Sequence, residues 1–133
     1  MKNKNRLRVA IVMMLLLVGG LAASCADYGT KLDFKDTEVY YTKNVTEAEA
    51  KKFGEYLIKE DMASGKKSSI QLDKSGSTYQ VRMVVDPAKA NDPATQAAFK
   101  TLAGQFSDDV FNKAATEVHL CDDSFKTVKV VTR

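Results

Sequence analysis

The sequence predicts an α+β fold in which an antiparallel-rich sheet carries both of its helices on one face. Two long segments place apolar residues at helical spacing, and five shorter ones alternate apolar and polar residues as strands do. Their order is β-α-β-β-α-β with one extra C-terminal strand. This is the split βαβ pattern of ferredoxin-like folds. Right-handed crossovers would place both helices on the same side.

The predicted strands are short and separated by turn residues. They cover residues 37–42, 69–73, 78–86, 116–121 and 126–131. In the third, Tyr79, Val81, Met83 and Val85 alternate with Gln80, Arg82 and Val84. Such alternation is typical of a sheet packed on one face only. Arg82 is therefore expected at the surface, where truncation to Ala costs well under about 1 kcal/mol.

Both predicted helices have clear start signals. Thr46 followed by Glu49 forms a capping box before the first helix, and Asp92-Pro93 supplies the cap and first residue of the second. Gly54 lies on the apolar stripe of the first helix and would allow a close approach to the sheet. The other stripe residues are Ala50, Phe53, Leu57, Ile58 and Met62, then Phe99, Leu102, Phe106 and Val110 in the second helix.

Charge argues against a nucleic-acid partner. The 133 residues suit one domain, and the formal net charge is +3. Four of the 20 basic residues precede residue 25, where no acidic residue lies, so the remainder has 16 basic and 17 acidic residues, a balance of 16 − 17 = −1. A near-neutral domain without a basic stripe has no electrostatic basis for binding nucleic acid.

The first 24 residues predict a signal peptide. Residues 1–8 include four basic residues and no acidic ones, residues 9–18 are uniformly apolar, and Gly19-Gly20 ends the apolar run. A membrane span needs about 20 apolar residues. The stretch from residue 9 to residue 26 approaches that length only if the glycines, Ser24 and Cys25 are counted as apolar.

The residues that follow resemble a bacterial lipobox. In Ala22-Ala23-Ser24-Cys25, small residues precede a cysteine, with Ala22 where leucine is commonest in that family. The resemblance implies that Cys25 receives a diacylglyceryl group and becomes the new N-terminus, anchored in the cell envelope and facing the periplasm or exterior. Ala26 would imply the outer membrane in enteric-type bacteria. The alternatives are an ordinary signal cut after Ala26 and an uncleaved anchor.

These predictions divide the chain into three parts: a signal peptide at 1–24, a lipid-anchored tether at 25–36, and a single domain at 37–133. Leu32 and Phe34 alternate with charged residues, which allows a short edge strand at 32–34. With Cys25 lipidated or removed, Cys121 has no disulfide partner in the mature chain. A buried, inert Cys121 is the favoured interpretation.

Catalytic and metal-binding signatures are sparse. His119 and Cys121 are two residues apart on a strand, so they share a face, with Cα atoms about 6–7 Å apart. Two ligands do not complete a tetrahedral zinc site. We expect no metal and no cofactor, and no catalytic residues are assigned.

The candidate binding surface is the sheet face away from the helices. Alternation places these residues on it: Tyr40, Gln71, Gln80, Arg82, Val84, His119, Cys121 and Lys129. A solvated face of mixed polarity is an equally weighted alternative. The leading functional hypothesis is a membrane-tethered, non-enzymatic domain that binds a protein partner or assists an envelope complex. The alternatives are a small-ligand or hydrolytic site around His119, Cys121 and Arg82, and a protease-inhibitor-like module by fold analogy alone.

Overall fold

The computed structural model describes residues 28–133, and in them six strands form one mixed sheet. The strands are β1 Thr30–Phe34, β2 Thr37–Tyr41, β3 Ser68–Ser75, β4 Thr78–Val84, β5 Thr116–Cys121 and β6 Thr127–Thr132. The helices are α1 Glu47–Lys59, α2 Pro87–Ala90 and α3 Pro93–Asp109. The α+β class predicted from the sequence is confirmed. The predicted signal peptide and Cys25 lie outside the described residues.

The strands lie in the sheet in the order in which they occur along the chain, β1 to β6. The pairs β2–β3 and β4–β5 are parallel, and the other three pairs are antiparallel. Helix α1 connects the first parallel pair, and α2 with α3 connects the second. A split βαβ unit would have another strand between the two joined strands, whereas β2 and β3 pair directly through Val39 and Ile70. The ferredoxin-like split topology is therefore not confirmed.

Strand β1 lies within the segment that the sequence suggested was a tether. It pairs antiparallel with β2 over its five residues, with Leu32 opposite Val39. Leu32 and Phe34 pack against the hydrophobic core. The edge strand that alternation allowed at 32–34 is therefore present, and it begins two residues earlier, at Thr30.

Both long helices pack on one face of the sheet, over a core that runs across β2, β3, β4 and β5. Phe53 of α1 and Phe106 of α3 are fully buried, and their ring centroids are 5.0 Å apart. The fully buried sheet residues beneath them include Val39, Val81 and Val118. The inward face predicted for the third strand is confirmed at Tyr79, Val81, Met83 and Val85.

The local signals in the sequence form as expected. Thr46 Oγ1 accepts from the Glu49 N–H at 3.1 Å, and the Glu49 carboxylate accepts from the Thr46 N–H at 2.9 Å. Gly54 lies so close to β1 that a Cβ there would overlap the Phe34 ring. None of the helices described here has both the length and the apolarity that crossing a bilayer requires.

Candidate binding face of the sheet

The strand register places the predicted binding residues side by side on the sheet face away from α1 and α3, which we call the open face. Tyr40 pairs with Gln71, Gln71 with Arg82, and Arg82 with His119. Gln80 and Val84 lie on the same face of β4, with Val84 beside Cys121. These residues form rows that cross four strands.

Lys129 does not belong to the open face. In the β5–β6 register it lies opposite Leu120, which is fully buried in the core on the helix side. A register shift between Leu120 and Cys121 adds an extra residue, Val128, to β6. A bulge of this kind moves side chains on one strand relative to its neighbour, which alternation within a single strand does not reveal.

The open face is partly covered, because three rings pack together over its centre. This aromatic cluster consists of Tyr28, Tyr40 and Phe125. The Tyr28 ring centroid lies 5.7 Å from that of Tyr40 and 5.0 Å from that of Phe125, both edge to face. Tyr40 is 7% exposed and Phe125 6% exposed. The centre of the open face is therefore not solvated, in contrast to the alternative of a solvated face of mixed polarity.

Tyr28 reaches the open face through a turn at Gly29. Gly29 has φ +103°, and a Cβ there would overlap the carbonyl oxygen of Tyr41. Only glycine fits both the positive φ and the close backbone approach without strain. Behind this turn, the Tyr28 carbonyl accepts a hydrogen bond from Gln71 Nε2 at 3.0 Å. The residue that begins the described chain is thus held over β2 and β3.

Phe125 comes from the loop between β5 and β6 and adopts a strained backbone conformation. Its φ of +60° is uncommon for a residue with a bulky side chain. Its N–H donates to the Asp122 carbonyl at 3.0 Å, and its carbonyl accepts from Arg82 Nη2 at 3.1 Å. These bonds and the ring contacts hold the loop folded back over the sheet.

Arg82 and His119 lie at the centre of a polar cluster with Gln80, Glu117 and Thr127. Arg82 donates to Gln80 Oε1 at 2.9 Å and to Thr127 Oγ1 at 3.0 Å. On His119, Nδ1 lies 2.9 Å from Thr127 Oγ1, and Nε2 lies 2.9 Å from Glu117 Oε1. Both ring nitrogens of a side chain that is only 8% exposed are therefore engaged.

Glu38 adds a buried carboxylate to the same face. It is 2% exposed, and Lys31 Nζ lies 3.4 Å from its Oε2. Its Oε1 accepts from Ser69 Oγ at 3.3 Å and from the Tyr40 hydroxyl at 3.4 Å. Burial, followed by the adjacent Glu38 carboxylate, raises the pKa of Tyr40 well above its ordinary value. The Tyr40 hydroxyl therefore stays protonated and donates.

Cys121 is not arranged as a nucleophile. It is fully buried, and its Sγ lies 3.4 Å from the backbone carbonyl of His119, to which it donates. Burial raises the pKa of the Cys121 thiol, which disfavours the reactive thiolate. The His119 nitrogens bond to other partners, so these two residues do not form a catalytic dyad.

Elsewhere in residues 28–133, features suited to metal binding or catalysis are sparse. No group of three or more His, Cys, Asp and Glu side chains there is placed to hold a metal ion. A shallow cleft on the helix side is lined by residues that include Glu49, Tyr79 and Phe111. The Tyr79 hydroxyl bonds to Glu49, and its ring stacks on Phe111 with centroids 4.1 Å apart. The aromatic side chains of this cleft, Tyr79 and Phe111, therefore already pack against each other within the domain.

Three residues of the open face were not predicted from the sequence: Tyr28, Glu38 and Phe125. Phe125 offered a signal, because a large apolar residue in an otherwise polar hairpin loop usually packs against something. Glu38 alternates with Val39 and so shares a face with Tyr40, but alternation does not indicate that its carboxylate is buried. Tyr28 gave no signal, because it lies in a short polar segment before the first strand.

In a comparison with protein-family models, residues 31–132 match a model described as a family N-terminal domain. The matched segment runs from the second residue of β1 to the last residue of β6, so it contains nearly the whole sheet. Comparison with curated proteins found no match, and neither did comparison with solved structures.

Proposed function

The chain belongs to that N-terminal domain family, and from this premise we propose that it is an exported lipoprotein whose membrane-tethered domain binds a protein partner without catalysing a reaction. The lipobox-like run ending at Cys25 supports the anchor, and the basic and apolar segments before it support export. The proposed location is the cell envelope, with the outer membrane favoured by Ala26.

The free edge of β6 is the observation that supports protein binding. Within the described part of the chain, β6 pairs with β5 on one side and has no strand on the other. Its valines Val128 and Val130 are 49% and 42% exposed. An exposed edge of this kind can accept an extended segment of another protein, with backbone hydrogen bonds providing affinity and side chains specificity.

The opposite edge of the sheet is less suited to strand addition. β1 exposes Lys31 and Asp33, which form an ion pair with a 3.9 Å separation. Charged side chains on an edge strand discourage pairing with another chain, and β1 has two in five residues, whereas β6 has one, Lys129, in six. We therefore place the partner at β6 rather than at β1.

The alternative, a ligand or hydrolytic site around His119, Cys121 and Arg82, has weaker support. Their hydrogen-bonding atoms are directed to one another or to neighbouring protein groups, and Cys121 is fully buried. A binding site normally aims several polar groups into an accessible concavity. We found no such arrangement around His119.

The anchor is tested by growing cells with labelled palmitate and comparing the wild type with Cys25→Ala. We expect the acyl label on the wild type alone, because Cys25→Ala removes the thiol that would carry the lipid. Equal label on both proteins would refute lipidation at Cys25.

The partner site is tested by placing a photo-crosslinking amino acid at Val128 in β6 and, as the matched control, at Lys31 in β1. After irradiation of intact membranes, we expect a discrete protein adduct from position 128 and none from position 31. Adducts of equal yield from both positions, or none from position 128, would count against β6 as the binding edge.

A further inference from the structure

We infer that the open face of the sheet lies against the lipid headgroups of the membrane that holds the anchor, with α1 and α3 turned away. This inference rests on the proposed lipidation of Cys25 and adds the orientation of the domain and the surface that touches lipid. Two independent features of the chain support it: the shortness of the tether and the exposed valines of the open face.

Because Tyr28 already packs on the sheet and β1 begins at Thr30, the tether is reduced to the link between Cys25 and Tyr28, which is too short to let the domain turn freely. Only Ala26 and Asp27 separate Cys25 from Tyr28. Three residue steps span at most about 10–11 Å, even when fully extended. Tyr28 is fixed over β2 and β3 by Gln71 and the aromatic cluster. A lipid on Cys25 therefore holds this part of the open face within about 11 Å of the anchor point.

The reverse orientation would require a longer tether. If α1 and α3 faced the membrane, the helix layer and the sheet would both lie between Tyr28 and the lipid. A helix has a diameter of about 10 Å, and layers pack about 10 Å apart, so the path would be about 20 Å. This exceeds the reach of the three residue steps.

The second feature is apolar exposure on the same face. Val84 and Val130 are 39% and 42% exposed, and the register places them beside Cys121 and His119, respectively. They lie on β4 and β6, whereas Tyr28 lies over β2 and β3. A domain resting on the membrane only by the β1 edge would leave these valines in water. A flat orientation instead brings them to the lipid interface, where apolar side chains are stabilised.

The charges along the open face do not call for an anionic membrane. Lys31 Nζ lies 3.9 Å from Asp33 and 3.4 Å from Glu38, and Lys67 Nζ lies 3.9 Å from Glu38, so two cations face two carboxylates. Because these groups are balanced within the domain, tether length and apolar contact set the orientation. Vesicles of zwitterionic lipid should therefore be sufficient for the domain to adopt this orientation.

The absence of tryptophan from the chain permits a direct test. Val84→Trp places a single fluorophore on the open face, and Lys100→Trp places one on the exposed surface of α3 as the matched control. Val130→Trp is a second open-face position in case Val84→Trp does not fold. Each full-length lipoprotein is reconstituted into vesicles of dibrominated phosphatidylcholine, whose bromines quench nearby tryptophan, and into unbrominated vesicles.

We expect brominated lipid to quench the open-face tryptophan at least about twofold more strongly than the one at position 100, because only the former reaches the interface. Acyl labelling of the same preparations shows whether Cys25 carries lipid. Acylated protein with equal quenching at both positions, or stronger quenching at position 100, would overturn the orientation and leave the proposed function standing. Protein without acyl label would overturn the proposed function and this inference with it.

Discussion

Arg82 Nη1 lies 3.3 Å from Nδ1 of His119. Because arginine can only donate, the Nδ1 atom must accept, and the proton of the neutral imidazole must be on Nε2. Nε2 lies 2.9 Å from the Glu117 carboxylate, which is a suitable acceptor. The arrangement thus fixes one tautomer of His119 and joins β4, β5 and the Phe125 loop through a single guanidinium.

Arg82→Ala should destabilise the domain by roughly 1–3 kcal/mol, because His119 and the Phe125 carbonyl lose a donor. This destabilisation is larger than the sequence predicted. An exposed Arg82 on β4 was expected to cost well under about 1 kcal/mol when truncated to Ala. Urea unfolding followed by circular dichroism measures the change in the free energy of unfolding. Lys129→Ala, an exposed position on β6, is the control and should stay within about 0.5 kcal/mol of the wild type. Equal stability of the two variants would mean that the polar cluster contributes nothing measurable.

Gly54→Ala and Gly104→Ala should shift stability in opposite directions, although both replace a helical glycine. At Gly54 the new methyl group would overlap the Phe34 ring, and overpacking costs about 1–3 kcal/mol. At Gly104 the nearest atom outside the helix is 3.7 Å away, on the Arg133 side chain, so the variant gains about 0.5–1 kcal/mol of helix propensity.

The midpoint of thermal unfolding should therefore fall for Gly54→Ala and rise for Gly104→Ala. A rise for both variants would show that Phe34 moves aside at little cost. In that case the contact between α1 and β1 would be looser than the structure indicates.

Cys121 should resist thiol reagents in the folded protein. Burial excludes the reagent and also raises the pKa of the thiol, so little thiolate is available. In the full chain with Cys25→Ala, where Cys121 is the remaining cysteine, iodoacetamide should react at least about a hundredfold more slowly than in urea, because reaction requires the domain to open. Equal rates in the two conditions would contradict a buried thiol.

Asp73 should contribute to stability in a pH-dependent manner. Its Oδ1 accepts from Thr42 at 2.7 Å, from the Lys74 N–H at 2.8 Å and from Asn44 at 3.2 Å. Burial acts to raise the pKa of this carboxyl, but these hydrogen bonds outweigh it and hold the pKa below the ordinary value of 3.8.

A carboxyl with a lowered folded pKa stabilises the protein above its unfolded pKa, and the stabilisation is lost as pH falls through the folded value. The contribution of Asp73 should therefore be fully present above pH 3.8 and decline at lower pH. Urea midpoints of the wild type and Asp73→Asn, measured across this range, should converge as the solution becomes more acid. A constant gap between the two curves would contradict the assignment.

Patterns within single elements predicted most of the fold. The capping box at Thr46 and Glu49, the cap at Asp92 and the inward face of β4 depend on residues a few positions apart, so the sequence displays them directly. Gly54 was also interpretable, because a glycine on a buried helix stripe suggests close packing. The order of the strands in the sheet could not be predicted in this way, since the same series of elements is compatible with more than one sheet topology.

By itself, the sequence determined the α+β class, the start signals of both long helices and which side of β4 faces the core. Only the tertiary structure decided that β2 pairs directly with β3, that Lys129 faces the helix side and that Tyr28 and Phe125 cover the open face. The division has a physical cause. Caps and alternation arise from local backbone geometry, whereas strand neighbours, the β6 bulge and the aromatic cluster depend on residues far apart in sequence. Tyr28 and Phe125 are 97 positions apart by their residue numbers, 125 − 28, and they meet only because the sheet brings both chain segments to one face.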